Sequence, residues 1–371
     1  VYKILERAGK KCMKSHGQDK RRRQEKKVLL IIMAVTLILL GVNILFLLKI
    51  ETQVESANNK LLQLSEIQRE DSEAVSGELK EKIPEKELPE GEIPEQEISD
   101  KKTQEKEAVD YFSEAGNIGS VEVLDYVSMC GLTEVDKPVV RSQREVLTKL
   151  GELAQDNTVI ARIFKESDTY PERLLEALAN NPEMADFVDN YHERKGKAEG
   201  GLTNLEKQKE YPLFLQWDPR WGYAEYGDES NVGLSGCGPT CLSMVLYYLT
   251  KDETLTPNKI AAYSMENGYY MSGTGTLWAL LEELPLLYGV EVGQPETDKA
   301  VMESELDRGN ILICSMGAGD FTTGGHFIVI YGYDEAGFHV NDSNCVARSR
   351  KSWSFKQIEK QIKHIWSFGK G

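Results

Sequence analysis

Gly236-Cys237-Gly238-Pro239-Thr240-Cys241-Leu242-Ser243-Met244-Val245-Leu246-Tyr247-Tyr248-Leu249 is the stretch whose reading decides the fold of the C-terminal part of this chain. Cys241, Val245 and Tyr248 recur at helical spacing, and Pro239 suits a first helical turn, where a missing N–H costs nothing. Cys237 therefore falls at or just before a helix N-terminus. There the positive end of the helix dipole and unpaired N–H groups favour the thiolate, which is the reactive form of cysteine. The competing reading, a small buried hydrophobe, suits Cys241, Cys314 and Cys345. For Cys237 it would leave two flanking glycines and a proline without a reason.

A cysteine nucleophile needs a base, and Gly324-Gly325-His326-Phe327-Ile328-Val329-Ile330-Tyr331 supplies a histidine at the mouth of a strand. The strand runs to a turn, Asp334-Glu335-Ala336-Gly337, and returns as Phe338-His339-Val340-Asn341-Asp342, which brings a carboxylate back on the adjacent antiparallel strand. Register decides whether Asp342 can orient the His326 imidazole. A three-residue loop with Gly337 left-handed puts the two on one side and a two-residue loop does not; a bulge near Gly332 is the further device that would bring them together. Upstream, Leu215-Gln216-Trp217-Asp218-Pro219-Arg220-Trp221 offers the Gln216 amide, which with the Cys237 N–H would serve a tetrahedral oxyanion. Two Gly-rich loops, 272–278 and 315–323, are candidate walls of a cleft.

The rest of the chain is organised around one apolar run. Residues 28–48 form 21 positions without a charge, and a helix of that length rises roughly 30 Å, the thickness of a bilayer's hydrocarbon core. Residues 1–27 carry eleven Lys or Arg against three acids, so they are expected to stay in the cytoplasm with everything after the span facing outward. The span is too long for a signal peptide and lacks an Ala-x-Ala-like exit, so it is expected to remain as an anchor. The chain begins with Val1, which leaves room for a longer native N-terminus. Residues 49–107 read as a disordered acidic stalk, in which Ile83-Pro-Glu-Lys-Glu, Leu88-Pro-Glu-Gly-Glu and Ile93-Pro-Glu-Gln-Glu repeat one extended unit. Residues 108–195 read as a helical neck without chemistry of its own, from the faces Val146/Leu147/Leu150/Leu153 and Val159/Ile160/Ile163/Phe164 and from helix starts at Pro171 and Pro182. Gly196, Gly200 and Gly201 mark a linker over 196–210. The domain that carries the chemistry is 211–371.

Composition narrows the classes. The balance of 44 Lys+Arg against 60 Asp+Glu is acidic, and no basic patch with interleaved aromatics follows the apolar run, so no nucleic-acid partner is expected. The six cysteines, at 12, 130, 237, 241, 314 and 345, contain no CxxC pair, and no histidines cluster to complete a zinc site, so a structural metal is not expected.

The ordered set Gln216, Cys237, His326 and Asp342, in the settings LQWDPRWG, GCGPTC, GGHFIVI and VNDSN, resembles papain-like cysteine peptidases of the bacteriocin-leader-processing type, cysteine peptidase family 39 and its surface relatives. The resemblance covers residues 211 to about 366. It implies an α/β fold of the α+β papain type, with the Cys237 helix packed on an antiparallel sheet that carries His326 and Asp342. It also implies hydrolysis without a cofactor, with Gln216 as oxyanion donor, Cys237 as nucleophile, His326 as base and Asp342 as orienter. Leader-processing members are typically cytosolic domains fused to an exporter. This chain has no Walker A pattern, so cleavage after a double glycine is not implied.

The reading that follows is a membrane-anchored, extracytoplasmic thiol peptidase acting on peptides, exported proteins or cell-wall peptide. Two others use the same domain: transglutaminase-like acyl transfer or cell-wall peptide amidase activity at the same residues, and a non-catalytic surface-binding module.

Overall fold

The computed structural model describes residues 125–371. The expected membrane span at 28–48, the stalk at 49–107 and the first part of the neck lie outside the described residues. Among the described residues no helix is long and apolar enough to cross a membrane.

The longer helices that lead in are α1 (Gln143–Leu153), α2 (Thr158–Lys165), α3 (Glu172–Asn180) and α4 (Ala185–Asp189). Their starts follow from local chemistry. Ser142 and Glu145 form a reciprocal capping box on α1, and the Asn157 side chain accepts the N–H groups of Val159 and Ile160 on α2. Their apolar faces do not close on one another alone. Leu150, Ile163, Leu174, Leu178, Phe187 and Val188 are buried in the same core as Phe214, Trp221 and Val245 of the following domain, and the Phe187 ring stacks on Tyr223 at 4.4 Å.

The stretch 196–210 is tied down as well. Gly196 N–H donates to Tyr223 O and Gly200 N–H to Arg220 O, at 3.0 and 2.7 Å. Within it Glu206 receives both Arg220 Nη atoms at 2.7 Å, and Asp218 takes Arg220 Nε at 2.9 Å. Arg220 also lies over the Trp221 ring. The Trp-Asp-Pro-Arg-Trp motif is thus the seat of a buried ion network, in which each charge has its partner as burial requires.

Helix α5 (Cys237–Thr250) is buried on nearly every face, as its all-round apolar sequence dictates, and α6 (Pro257–Glu266) packs beside it. A small hairpin, β1 (Tyr270–Met271) with β2 (Gly275–Thr276), follows. Then come β3 (Val290–Gly293), helix α7 (Lys299–Asp307), β4 (Ile311–Met316), β5 (His326–Asp334), β6 (Gly337–Asn341), β7 (Ser352–Trp353) and β8 (Ile362–Lys370). The six strands β3 to β8 make one antiparallel sheet in the order β3-β8-β4-β5-β6-β7. Alternation along β4 serves two faces: Ile311 and Ile313 pack with the α5 core, while Leu312, Cys314 and Met316 pack with Met302, Ile358 and Ile362 on the other side. This mixed α/β domain with an antiparallel sheet is the architecture expected from the sequence.

Candidate active site

Cys237 is the first residue of α5, partly exposed in a cleft of about 930 Å³. The glycines on either side are required by packing. A Cβ on Gly236 would lie 2.6 Å from Val232 O, and one on Gly238 would lie 2.7 Å from Thr276 Oγ1. The cleft is bounded by the 272–278 loop, as its glycines suggest, with Trp278 half-exposed. Of the other Gly-rich loop only Ser315 reaches it. Arg173 of α3 and Asp228 add one charge of each sign to its rim.

The β5–β6 hairpin decides the second half of the site. Asp334 pairs with Gly337, so the loop has two residues, Glu335 and Ala336, the length that on its own sets Asp342 on the face away from His326. Gly337 holds φ +139° in this turn. The register then shifts between Ile330 and Gly332, leaving Tyr331 as a bulge. Beyond it Val329 faces Asn341, so the continuing register sets Asp342 level with Ile328, on the side that His326 also takes. His326 Nε2 and Asp342 Oδ1 are 2.7 Å apart. The imidazole's other nitrogen is left free, and His326 and Cys237 line the same cleft, each acting on the other's protonation.

Asp342 is fully buried, yet the Arg348 guanidinium and then His326 hold its carboxyl down to about 2 against that burial. Burial works against the imidazolium of His326 too, but the Asp342 charge and hydrogen bond, helped by Cys237, push it up to about 9. Burial alone would raise the Cys237 thiol. The hydrogen bond and charge of His326, with the backbone N–H groups of Phe327 and Gly238, bring it below the ordinary thiol range. Cys241, Cys314 and Cys345 are buried and pushed up, and none of the described cysteines is paired. Among the described residues no cluster of His, Cys, Asp or Glu has the make-up of a metal site.

Gln216 is buried behind the cleft and does not line it. Its Nε2 donates to Gly233 O at 2.9 Å, and its Oε1 accepts from Ser343 Oγ at 3.1 Å. The interval between Gln216 and Cys237 is thereby explained, because the chain folds back to put Gly233 on that amide. One amide N–H is committed there and the second is left over.

A family model described as the Peptidase_C39 like family matches residues 208–368. Residues 208–368 are a peptidase C39-like domain. No curated protein matches the chain. Among solved structures, the chain is similar to the peptidase domain of Streptococcus ComA, a bifunctional ABC transporter involved in a quorum-sensing pathway. The identity is 16%, covering 37% of this chain and 93% of that one, with a TM-score of 0.29.

The C39-like domain contains partners of the site that the sequence reading passed over. Arg348 Nε donates to Asp342 Oδ2 at 2.7 Å, Ser349 Oγ accepts the Asp342 N–H at 2.8 Å, and Asn344 N–H donates to Asp342 Oδ1 at 2.9 Å. Ser343 holds the Gln216 amide. No spacing marks these residues. A buried arginine looks like a surface one in sequence, and only the turn after β6 brings it back onto the carboxylate.

Proposed function

We propose that the C39-like domain is a working thiol peptidase, with a Cys237 acyl-enzyme as its intermediate. The observation that carries the reading is that Cys237 and His326 line one cleft while the same imidazole is bound to the buried Asp342 carboxylate at 2.7 Å. The Cys237 thiolate adds to the scissile carbonyl, and the amine leaves with the proton of the His326 imidazolium. Water, deprotonated by the same imidazole, then releases the acid from the thioester. Asp342 keeps the imidazole in one tautomer and orientation. The free N–H of Gln216 and the backbone N–H of Cys237 are the donors assigned to the oxyanion, an assignment that requires the Gln216 amide to approach the cleft as substrate binds.

Substrates are peptides, exported proteins or the peptide part of a cell wall, reached from a single membrane helix at 28–48 with the N-terminus in the cytoplasm. The basic residues before that uncharged run support the orientation. The test is the full chain in detergent, incubated with a mixed peptide library and with wall fragments, products being read by mass spectrometry beside Cys237→Ala. New peptide termini that require Cys237 are expected. Products joined to an added amine in place of water would make the chemistry acyl transfer, and turnover by Cys237→Ala would end the reading.

A further inference from the structure

The helical segment that precedes the family-matched residues touches the loop that holds Asp342. Glu183 lies in the 3-10 turn Pro182–Met184, between α3 and α4. Its Oε2 accepts the N–H of Val346 at 2.7 Å and its Oε1 accepts the N–H of Ala347 at 2.9 Å. Two residues earlier Asn181, itself buried, donates from Nδ2 to Asn344 O, a carbonyl that also receives Trp217 Nε1 at 2.9 Å. The captured backbone, 344–347, lies between Asp342 and Arg348.

These contacts add to bonds the turn makes within itself, Cys345 N–H to Asp342 O at 3.1 Å and Ser349 Oγ to Cys345 O at 2.8 Å. Val346, Ala347 and Arg348 are buried at the start of the short helix Val346–Ser349, whose first N–H groups have no acceptor within the helix. Arg348 in turn gives its Nε to Asp342, and neither of its Nη atoms has a hydrogen-bond partner among the described residues. The place of the Arg348 side chain therefore depends on its backbone, which Cys345 Sγ and Trp353 Nε1 meet at 3.5 and 3.0 Å and which Glu183 fixes through the two residues before it. A carboxylate with two oxygens, each on one N–H, fixes the turn in both position and rotation.

We propose that Glu183 is a positioning residue for the Asp342–His326 pair, so that the helical segment outside the C39-like match is part of the enzyme and not a spacer. The proposal rests on the thiol-peptidase reading above and goes beyond it, since the residue lies outside the matched domain and touches none of the reacting groups. Losing the carboxylate frees two buried N–H groups, lets the 344–348 turn move, and carries Arg348 away from the oxygen opposite the one His326 uses.

The experiment compares wild type, Glu183→Gln, Asp342→Ala and the double variant of the full chain. The readouts are kcat and KM on a peptide that wild type cleaves, the pH profile of Cys237 alkylation by iodoacetamide, and thermal melting. Glu183→Gln should lower kcat about tenfold, the kinetic equivalent of one weakened buried hydrogen bond, with KM unchanged. The acid limb of alkylation should move to higher pH, and Glu183→Asp, which keeps the charge, should restore part of both. In the Asp342→Ala background the Glu183 change should add nothing further. An unmoved limb with unchanged kcat would overturn the proposal, and so would an equal loss with and without Asp342. If Glu183→Gln melts below the assay temperature, its alkylation is read at a temperature below that melt, and a limb identical to wild type overturns the proposal. If wild type cleaves no peptide, the peptidase reading fails, while the alkylation limb still decides the role of Glu183.

Discussion

Arg348 donates its Nε to Asp342 Oδ2 at 2.7 Å, and His326 uses the other oxygen of the same carboxylate. Both Arg348 and Asp342 are almost inaccessible, at 2% and 0% exposure. The carboxylate is therefore divided between a fixed cation that keeps it ionised and an imidazole that it orients. Neither task could be done by Asp342 alone, because an isolated carboxylate at that depth would take up a proton.

Removing the cation should be costly. Arg348→Ala is expected to lower stability by about 3–5 kcal/mol, since it leaves an uncompensated buried carboxylate. A depressed carboxyl contributes stability that is present above its unfolded value of 3.8 and lost as pH falls through about 2. In Arg348→Ala the folded value rises toward the unfolded one and that contribution shrinks. Urea melts at neutral pH and at about pH 2 check both the size and the pH trend; an unchanged midpoint at neutral pH would show that Arg348 does not hold the carboxylate.

The pH profile follows from the same pair. The protonated imidazole persists to about 9, against 6.5 for an ordinary histidine. Hydrolysis should therefore rise as Cys237 ionises and fall as pH passes about 9 and His326 loses the proton it must give the leaving amine. Because the folded value is raised, the stability tied to this proton is full below about 6.5 and lost as pH rises through about 9. Asp342→Ala should move the basic limb of activity downward and the acid limb of thiol alkylation upward. Limbs that stay in place in this variant would remove Asp342 from the pair.

Thiol reactivity and turnover should separate at Gln216. Cys237→Ala and His326→Ala are expected to abolish hydrolysis, and Asp342→Ala to leave a measurable remainder. Gln216→Ala should slow acylation by roughly 10² to 10³-fold with iodoacetamide labelling of Cys237 nearly unchanged, because an oxyanion donor acts in the transition state and not on the resting thiolate. Equal loss of labelling and turnover would place Gln216 in the architecture of the loop, through its bonds to Gly233 and Ser343.

A methyl group beside the nucleophile should be felt in the cleft. Gly238→Ala puts a Cβ 2.7 Å from Thr276 Oγ1, and Thr276 is held by the Tyr226 hydroxyl at 2.7 Å. The expected cost is about 1–3 kcal/mol of overpacking, with a raised KM as the 272–278 wall is displaced. Thermal melting and steady-state kinetics measure the two effects, and a KM equal to wild type would mean that the wall does not touch substrate.

Local signals are legible in the residues alone: the helix that begins at Cys237, the strand that begins at His326, the returning strand before Asp342, and the apolar faces of α1 to α4. These are short-range properties, fixed by periodicity, by proline and glycine, and by capping residues, so they could be read without a partner in view. The pairing of His326 with Asp342 was not among them. A two-residue turn points them apart, and only the bulge at Tyr331 turns the strand by one residue and brings them to one side. Nor could sequence assign Arg348 to Asp342 or Glu183 to the turn that carries Arg348, since the second contact joins residues 163 positions apart at Val346. Both pairings arise from the folded backbone. A buried charge is defined by what surrounds it in space, and its partner is whichever group the folded backbone delivers within hydrogen-bond reach.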